Sequence, residues 1–404
     1  MKKSSKIKKL AGYLFKSKVI PSNKNKVELL RFFSLIGFFI IVLLIFNSSL
    51  NQFEKNSRNE AINIVKTSLN ASHITVKQFW AKNQFGNAEI WASDPGIIQS
   101  TKELLKLTED SILISQSAEM TIYREFFTKR LQIHNALDIF IISPDFINIA
   151  SMNNENIGKL NLISKSDKTL LEKVFKGQNQ LVPPLVSDIP LLDENGKLVT
   201  GNPNMFIMVP IKDINEGIIA ALCLQFDPLR DFSRLPTINE IGDTGDTYIV
   251  DNKGNLITES RFLRQLYSIG LISSENHSLL NIEIRDPGVN LLEGLEPKQS
   301  NIELPFTYAV EQLLKGKSGF STSGYRDYRG VKVLGAWIWD DDLGIGFISE
   351  IDEDEAFALY KTTRLLSISL LTITLLLMLI IEYFNRRKQL KNISIIEEKE
   401  KLDK

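Results

Sequence analysis

The 22 residues between Arg31 and Glu54, FFSLIGFFIIVLLIFNSSLNQF, carry no charge. The part from Phe32 to Phe46, with its polar fringe, is long enough to cross about 30 Å of hydrocarbon as a helix, which satisfies its backbone groups internally. Seventeen more uncharged residues, LLSISLLTITLLLMLII, lie between Arg364 and Glu382, interrupted only by Ser and Thr that can bond back to helix carbonyls. Both segments read as transmembrane helices. The long basic stretch before the first, and the lack of a small-x-small site after Phe46, favour a retained anchor over a cleaved signal peptide.

Charge orients the two spans. The 404-residue chain has formal net charge zero, yet residues 1–31 hold ten Lys/Arg against one acid, residues 51–363 hold 30 against 42, and residues 364–404 hold eight against five. Basic residues stay on the cytoplasmic side, so both termini are expected there and the acidic centre outside the cell membrane. With 43% apolar and 24% charged residues the chain can build two ordinary folded domains. A lone cysteine, Cys223, excludes an intramolecular disulfide, so a packed core must hold the centre together.

From Leu50 to Gln84 there is no Gly or Pro, and Ile62, Val65, Leu69, Ile74, Val76 and Phe79 or Trp80 recur at near-helical spacing. A long helix is expected, with a break near Gly86, a turn at Asp94-Pro95-Gly96, and further helix to about His134. Trp80 and Trp91 are expected to pack against a neighbouring domain or a second copy of the helix. Strand-like sequence follows. LDIFIISPDFINIAS (Leu137 to Ser151) and TYIVDNKGNLITES (Thr247 to Ser260) both read as hairpins, the second turning at Asp251 to Gly254. Residues Asn204 to Asp227 and Val331 to Asp352 each read as two apolar strands around an acidic, glycine-containing turn. The repeated order predicts a duplicated antiparallel sheet with helices on one side, an α+β fold. SRFLRQLYSIGLI supplies a covering helix through Phe262, Leu266 and Ile269, and GYRDYRG reads as a turn with Arg326, Asp327 and Arg329 paired at its surface.

The blocks GDTGDTYIVDNKGNLITESRF, PPLVSDIPL (Pro183 to Leu191), RDPG (Arg285 to Gly288) and GYRDYRGVKVLGAW (Gly324 to Trp337) make residues 50–360 resemble the double Cache sensor domains of bacterial chemoreceptors, sensor histidine kinases and nucleotide cyclases. The resemblance implies a long helix followed by two PAS-like antiparallel-sheet modules, flanked by two transmembrane helices. The implied boundaries are a cytoplasmic basic N-terminus at 1–31, a first span at 32–50 and a helical region at 51–134. A membrane-distal module at 135–232, a membrane-proximal module at 233–360, a second span at 365–384 and a cytoplasmic tail at 385–404 complete the chain. In such receptors the distal module usually holds a small ligand and the proximal one transmits.

Amino-acid-binding members resemble one another in a Tyr, Arg, Trp, Tyr, Asp set; here Tyr123 and Arg124 are adjacent and no Trp follows them before the first hairpin. The residues that could line a distal pocket are Tyr123, Arg124 and Arg130 from the helix and Met152, Asn153 and Asn154 after the first hairpin. Ser187 and Asp188 of PPLVSD, and Met205 and Phe206 of the next strand, complete the set. A pocket needs mainly apolar walls and a few oriented polar groups, which this set contains.

Enzymatic patterns fail. The three histidines are far apart and none lies in a zinc-binding spacing. Gly316-Lys317-Ser318 lacks the earlier glycine of a phosphate loop, and DNKGN and DENGK lack the twelfth-position carboxylate of a calcium loop. No catalytic residue, metal ligand or cofactor is therefore assigned, and an acidic centre argues against nucleic acid. The expected partners are a small molecule of the organic acid, amino acid or amine class, anionic membrane lipid at the basic flanks, a second copy of the chain, and a cytoplasmic signalling partner. The short tail, NRRKQLKNISIIEEKEKLDK, holds no kinase, cyclase or methyl-accepting region. The expectation is a membrane-anchored sensor whose output module is not in this sequence; a tethered solute-binding or adaptor protein without output is the alternative.

Overall fold

A computed structural model of the chain describes residues 22–107, 111–187, 190–193, 195, 197–215, 217–230, 232–239, 241–297 and 303–402. These fall into two units, one made of the helical ends up to Ser57 and from Leu359 on, the other running Arg58–Ala358.

Helix α1 (Ser22–Ile74) passes through seven residues of π-helix (Thr75–Ala81) directly into α2 (Lys82–Ala92). The buried side chains along this rod include Ile62, Val65, Leu69, Val76, Ala81, Ala88 and Trp91. The step of five from Val76 to Ala81 falls in the wider π turn, which keeps one face of the rod on the domain and turns Ile74 and Phe79 outward. The irregularity thus lies at 75–81, and the helix runs unbroken through Gly86. Asp94 caps α3 (Pro95–Leu105) by accepting from Gly96 N (2.8 Å), with Pro95 in the first turn, where its missing N–H costs nothing. After α4 (Ser111–Gln116), Ser117 caps α5 (Ala118–His134), which stops at Asn135 in the left-handed conformation.

The first sheet has the order β2-β1-β7-β6-β3, all antiparallel. Its strands are β1 (Asp138–Ile142), β2 (Asn148–Ser151), β3 (Gln180–Val186), β6 (Pro203–Asp213) and β7 (Gly217–Phe226); β4 (Leu191–Leu192) and β5 (Leu198–Val199) form a separate ribbon. Alternation sends Phe140, Ile142, Phe206, Met208 and Cys223 to one face, where α6 (Leu162–Val174) covers them with Leu171 and Val174. The opposite face packs on α2, α3 and α5. Trp80 lies against Phe226 and Phe232 (5.8 and 5.4 Å between ring centroids) and Trp91 against Phe127 (5.9 Å), so both tryptophans are packing residues.

The second sheet, β8-β11-β10-β9, comprises β8 (Asp246–Val250), β9 (Gly319–Arg326), β10 (Lys332–Asp340) and β11 (Ile345–Asp352). One face carries Tyr248, Val250, Trp337 and Ile348 under α7 (Leu263–Ser268) and α8 (Tyr308–Leu313). Phe347, on the other face, meets His73 of the long helix (5.0 Å), and His73 and Lys77 reach Asp340 at 2.6 and 2.9 Å.

Three expectations are corrected. The hairpin at the Asp251 to Gly254 turn is shorter than expected: Ile257 N donates to Ile249 O (2.9 Å) and Asp251 N to Asn255 O (3.0 Å) around the single bridge Val250↔Leu256, after which the arm's backbone turns to a second partner, with Leu256 N donating to Ile282 O (2.9 Å) and Asn255 bridging Glu283. The Asp327–Arg329 pair (2.7 Å) is buried, not at the surface. Arg329 also donates to Asp352 (2.7 Å) and Gln265 (3.0 Å) and stacks over Phe262 (3.6 Å). Finally, strand β9 takes in the start of GYRDYRG, which was expected to be a turn, and β3 is a strand for which the sequence carried no expectation.

After α9 (Glu353–Ala356), α10 runs Ala358–Leu402. In the helical unit, α1 and α10 each contain an apolar run, of mean hydropathy 2.3 and 2.4, in which the described chain buries no residue, the surface that hydrocarbon would cover. Beside these runs Tyr360 donates to Glu54 (3.1 Å) and its ring meets Phe53 (5.7 Å).

Candidate functional site

A row of polar side chains crosses the α6-facing side of the first sheet. Asp138 opens β1 and stands directly opposite Gln225 of β7, and Asn204 of β6 lies diagonally next to Gln225. All three are buried. Polar groups this deep must be bonded or they cost free energy, about 1–3 kcal/mol for each unmet group.

The bonds present account for part of the row. Asp138 accepts from Ile139 N (2.7 Å), Met152 N (2.9 Å) and Ser151 Oγ (2.9 Å). Burial nevertheless raises its pKa to about 7 against the pull of these bonds and of the nearby Arg124 charge, leaving the carboxylate about half ionised at neutral pH. Gln225 Nε2 donates to Asn204 Oδ1 (2.6 Å) and Leu192 O (3.0 Å), which fixes the amide and turns its Oε1 away from both. That oxygen is buried with no partner among the described residues, and so are Asn153 Nδ2, Asn156 Nδ2 and Arg124 Nε. Asn153 and Asn156 belong to the turn that follows β2, whose 3-10 helix is Asn154–Asn156. Arg124 reaches the same turn from α5, donating to Ser151 O (3.3 Å) and Asn154 Oδ1 (2.5 Å). One acceptor of the sheet, Gln225 Oε1, and three donors of the turn and helix are thus left over around Asp138.

The residues expected to line a pocket fall into groups. Arg124, Met152, Asn153 and Asn154 lie around Asp138, as just described. Phe206 packs with Phe140 (6.4 Å) and pairs with Gln225 in register. Tyr123 is fully buried beneath them, donating to the Ile139 carbonyl and stacking on Phe127 (4.9 Å). Ser187 is buried just past β3, its carbonyl accepting from Gly201 N (2.9 Å). Met205 alternates to the opposite face with its register partner Phe226. Arg130 is held on its own helix, bonded to the Phe126 carbonyl and stacked on the Phe126 ring (3.5 Å). Asp188 lies outside the described residues. Asp138, Gln225, Asn204 and Asn156 were not anticipated. The available signal was a polar residue inside DIFII and IIAALCLQF, runs otherwise apolar and, apart from Ile218, buried throughout.

The second sheet repeats the pair. Asp246 opens β8 and stands opposite Glu350 of β11, in the register that Asp138 and Gln225 occupy. Here the protein's own phenols fill the space: Tyr248 and Tyr325 donate to Glu350 (3.0 and 2.7 Å), and Tyr328 to Asp246 (3.0 Å). Tyr325 reaches Glu350 only because position 335 is glycine, since a Cβ there would collide with the Tyr325 hydroxyl. Burial raises Glu350 to about 8, so it is largely protonated at neutral pH. Next to this sheet, the loop IGDTG holds Glu355 of α9. Asp243 N (2.8 Å), Thr244 N (2.7 Å) and Thr244 Oγ1 all donate to its carboxylate, and Gly242, at φ +55°, leaves the room that a Cβ would take. Among the described residues no group of three or more His, Cys, Asp or Glu could hold a metal ion.

No known family model and no curated protein sequence matches the chain. Solved structures that resemble it include the ligand-binding domain of the Pseudomonas aeruginosa amino acid chemoreceptor PctB in complex with L-Arg, at 12% identity and TM-score 0.44, covering 79% of this chain and 98% of that one. A domain of a sensory box/GGDEF family protein from Vibrio parahaemolyticus matches at 14% identity and TM-score 0.41, covering 75% and 98%. The sensor domain of the V. cholerae histidine kinase DctB matches at 9% and 0.37, covering 76% and 98%. These likenesses are to sensor domains, and the two-sheet arrangement behind a long helix is the one a double Cache fold implies.

Proposed function

We propose that the chain is a membrane-anchored extracytoplasmic sensor that binds a small molecule in the first-sheet module and passes the binding event to a cytoplasmic partner. The observation that carries this reading is the buried set of unmet polar groups: Gln225 Oε1 beside Asp138, and Arg124 Nε, Asn153 Nδ2 and Asn156 Nδ2 beyond it. Acceptors on the sheet call for a donor such as an ammonium, and donors on the turn call for a carboxylate. Of the three ligand classes named above, the amino acid class satisfies both ends. A ligand ammonium would also hold Asp138 in its charged form.

In this reading both termini are cytoplasmic, the first-sheet module is membrane-distal and the second is membrane-proximal. The Glu355 latch supports a transmitting role for the second module, because it ties the end of β11 to the IGDTG loop just before the second apolar run. A ligand can shift such a two-state element only by its differential affinity, on the order of 1–3 kcal/mol of coupling. Two copies joined along their long helices would give each displacement a reference.

The test is a thermal-shift screen of the full chain in lipid nanodiscs against amino acids, organic acids and amines, repeated with Gln225→Leu. A stabilising amino acid whose effect disappears in the variant supports the reading. A panel with no stabilising compound, or one whose hits act equally on the variant, contradicts it.

A further inference from the structure

Two sequence blocks, RDPG and GYRDYRG, play no part in the first-sheet site. In the second-sheet module the chain at and just after the first block runs beside the end of the second. Leu291 N donates to Arg329 O (3.0 Å), Asp286 N donates to Pro305 O (2.8 Å), and a Cβ on Gly330 would run into the Val289 carbonyl. Beside this seam is a cavity of about 190 Å³, walled by Leu271, Ile282, Leu291, Leu304 and Tyr328, with Arg285 among its lining residues.

Apolar side chains and polar groups share the walls about equally, with Asn281, Glu283 and Arg285 on the polar side. The Tyr328 hydroxyl is committed to Asp246 (3.0 Å) and Ser260 (2.8 Å), which leaves the residue little polar capacity for a guest. A dry apolar cavity of about 150 Å³ is enough to hold benzene, so this one has room for a ring and a small head group. Arg285 is preorganised to receive that head. Its Nε donates to Glu283 (2.6 Å), one amino group donates to the Leu304 carbonyl, and the guanidinium lies 4.3 Å from the centre of the Phe306 ring. Its other amino group, Nη2, makes no bond to a described residue. A guanidinium fixed on three sides, with an N–H edge that no described residue takes, suits a carboxylate, whereas a neutral amide would gain less from it. Glu283 lowers the attraction, but its charge is already engaged by Nε.

We propose that this cavity is a second ligand site, for a compact aromatic carboxylate whose ring lies among Leu271, Ile282 and Leu291 and whose carboxylate accepts from Arg285 Nη2. It is independent of the first-sheet site. The full chain in nanodiscs, titrated by ligand-observed NMR, should bind benzoate at least tenfold more tightly than benzamide, a comparison that needs no variant. Leu291→Trp, which fills the cavity, should remove benzoate binding, while Leu292→Trp, at an exposed neighbour, and Gln225→Leu, in the first sheet, should leave it unchanged. Absence of benzoate binding, equal binding of benzamide, or binding retained by Leu291→Trp would overturn the proposal. Loss of benzoate binding in Gln225→Leu would overturn it too, by placing the guest in the first sheet.

Discussion

The two sheets put a polar pair at the same register position and treat it in opposite ways. In the second sheet Asp246 and Glu350 are met by three tyrosine hydroxyls. In the first, Asp138 is met by backbone and Ser151, but Gln225 keeps a buried carbonyl oxygen with no described partner. The positions that would supply phenols are Phe140 opposite Tyr248's place and Leu185 near Tyr325's, and neither side chain can donate. A duplicated fold can therefore meet this pair with its own phenols in one copy and leave the other copy's carboxamide oxygen to a ligand, although the second module also buries Trp337 Nε1 and Thr307 Oγ1 without a described hydrogen-bond partner.

That contrast predicts where substitutions hurt stability and where they hurt binding. The largest effect should come from Arg329→Met, which strands Asp327 inside the second module and should destabilise the chain by about 3–5 kcal/mol, read by denaturant unfolding. Gln225→Leu should weaken ligand binding by roughly 10- to 100-fold, the worth of about 1–3 kcal/mol for a buried acceptor, measured by calorimetry. Tyr325→Phe should cost about 1–3 kcal/mol of stability by taking a donor from Glu350, with the first-site affinity unchanged. If it weakens binding as much as Gln225→Leu, the division between the two sheets is lost.

pH sharpens the same comparison. Asp138 and Glu350 have folded pKa values raised by burial to about 7 and about 8, above the ordinary carboxylate range. Between the unfolded and folded values the native state holds more protons, so stability should fall as pH rises from about 4 to about 8, and level off above. Glu350→Gln should flatten the upper part of that slope, and Asp138→Asn the part ending near pH 7. Thermal melts of the three proteins from pH 5 to 8.5 check it; a wild-type slope that the variants leave intact would mean other groups cause it. The smallest effect is expected from Glu355→Ala, about 1 kcal/mol or less for bonds at a partly exposed site.

Much of the fold was legible in sequence because its signals are strong. Two uncharged runs, a Gly- and Pro-free helix and three apolar strand pairs carry most of it. The strands that escaped, β3 and β9, are the outer strands of their sheets. Their Pro183-Pro184 and Gly-Ser composition reads as loop, yet an edge strand tolerates it because one side of its backbone pairs with no described strand. The π turn at 75–81 was visible only as Ile74 standing one step out of phase. For the candidate site, Arg124 and the Met152 to Asn154 turn could be named from their polar character after a hairpin. Asp138 and Gln225 could not, since strand pairing across more than eighty residues brings them together. Asp327 and Arg329 were read as a surface pair because charge in a turn usually is; three further partners around the guanidinium make burial affordable here.

The most direct test is the affinity of one stabilising amino acid for the full chain and for Gln225→Leu and Tyr325→Phe, by calorimetry in nanodiscs at pH 7.5. The account predicts tight binding to the wild type and Tyr325→Phe, and at least tenfold weaker binding to Gln225→Leu. Equal affinity for the wild type and Gln225→Leu would contradict it.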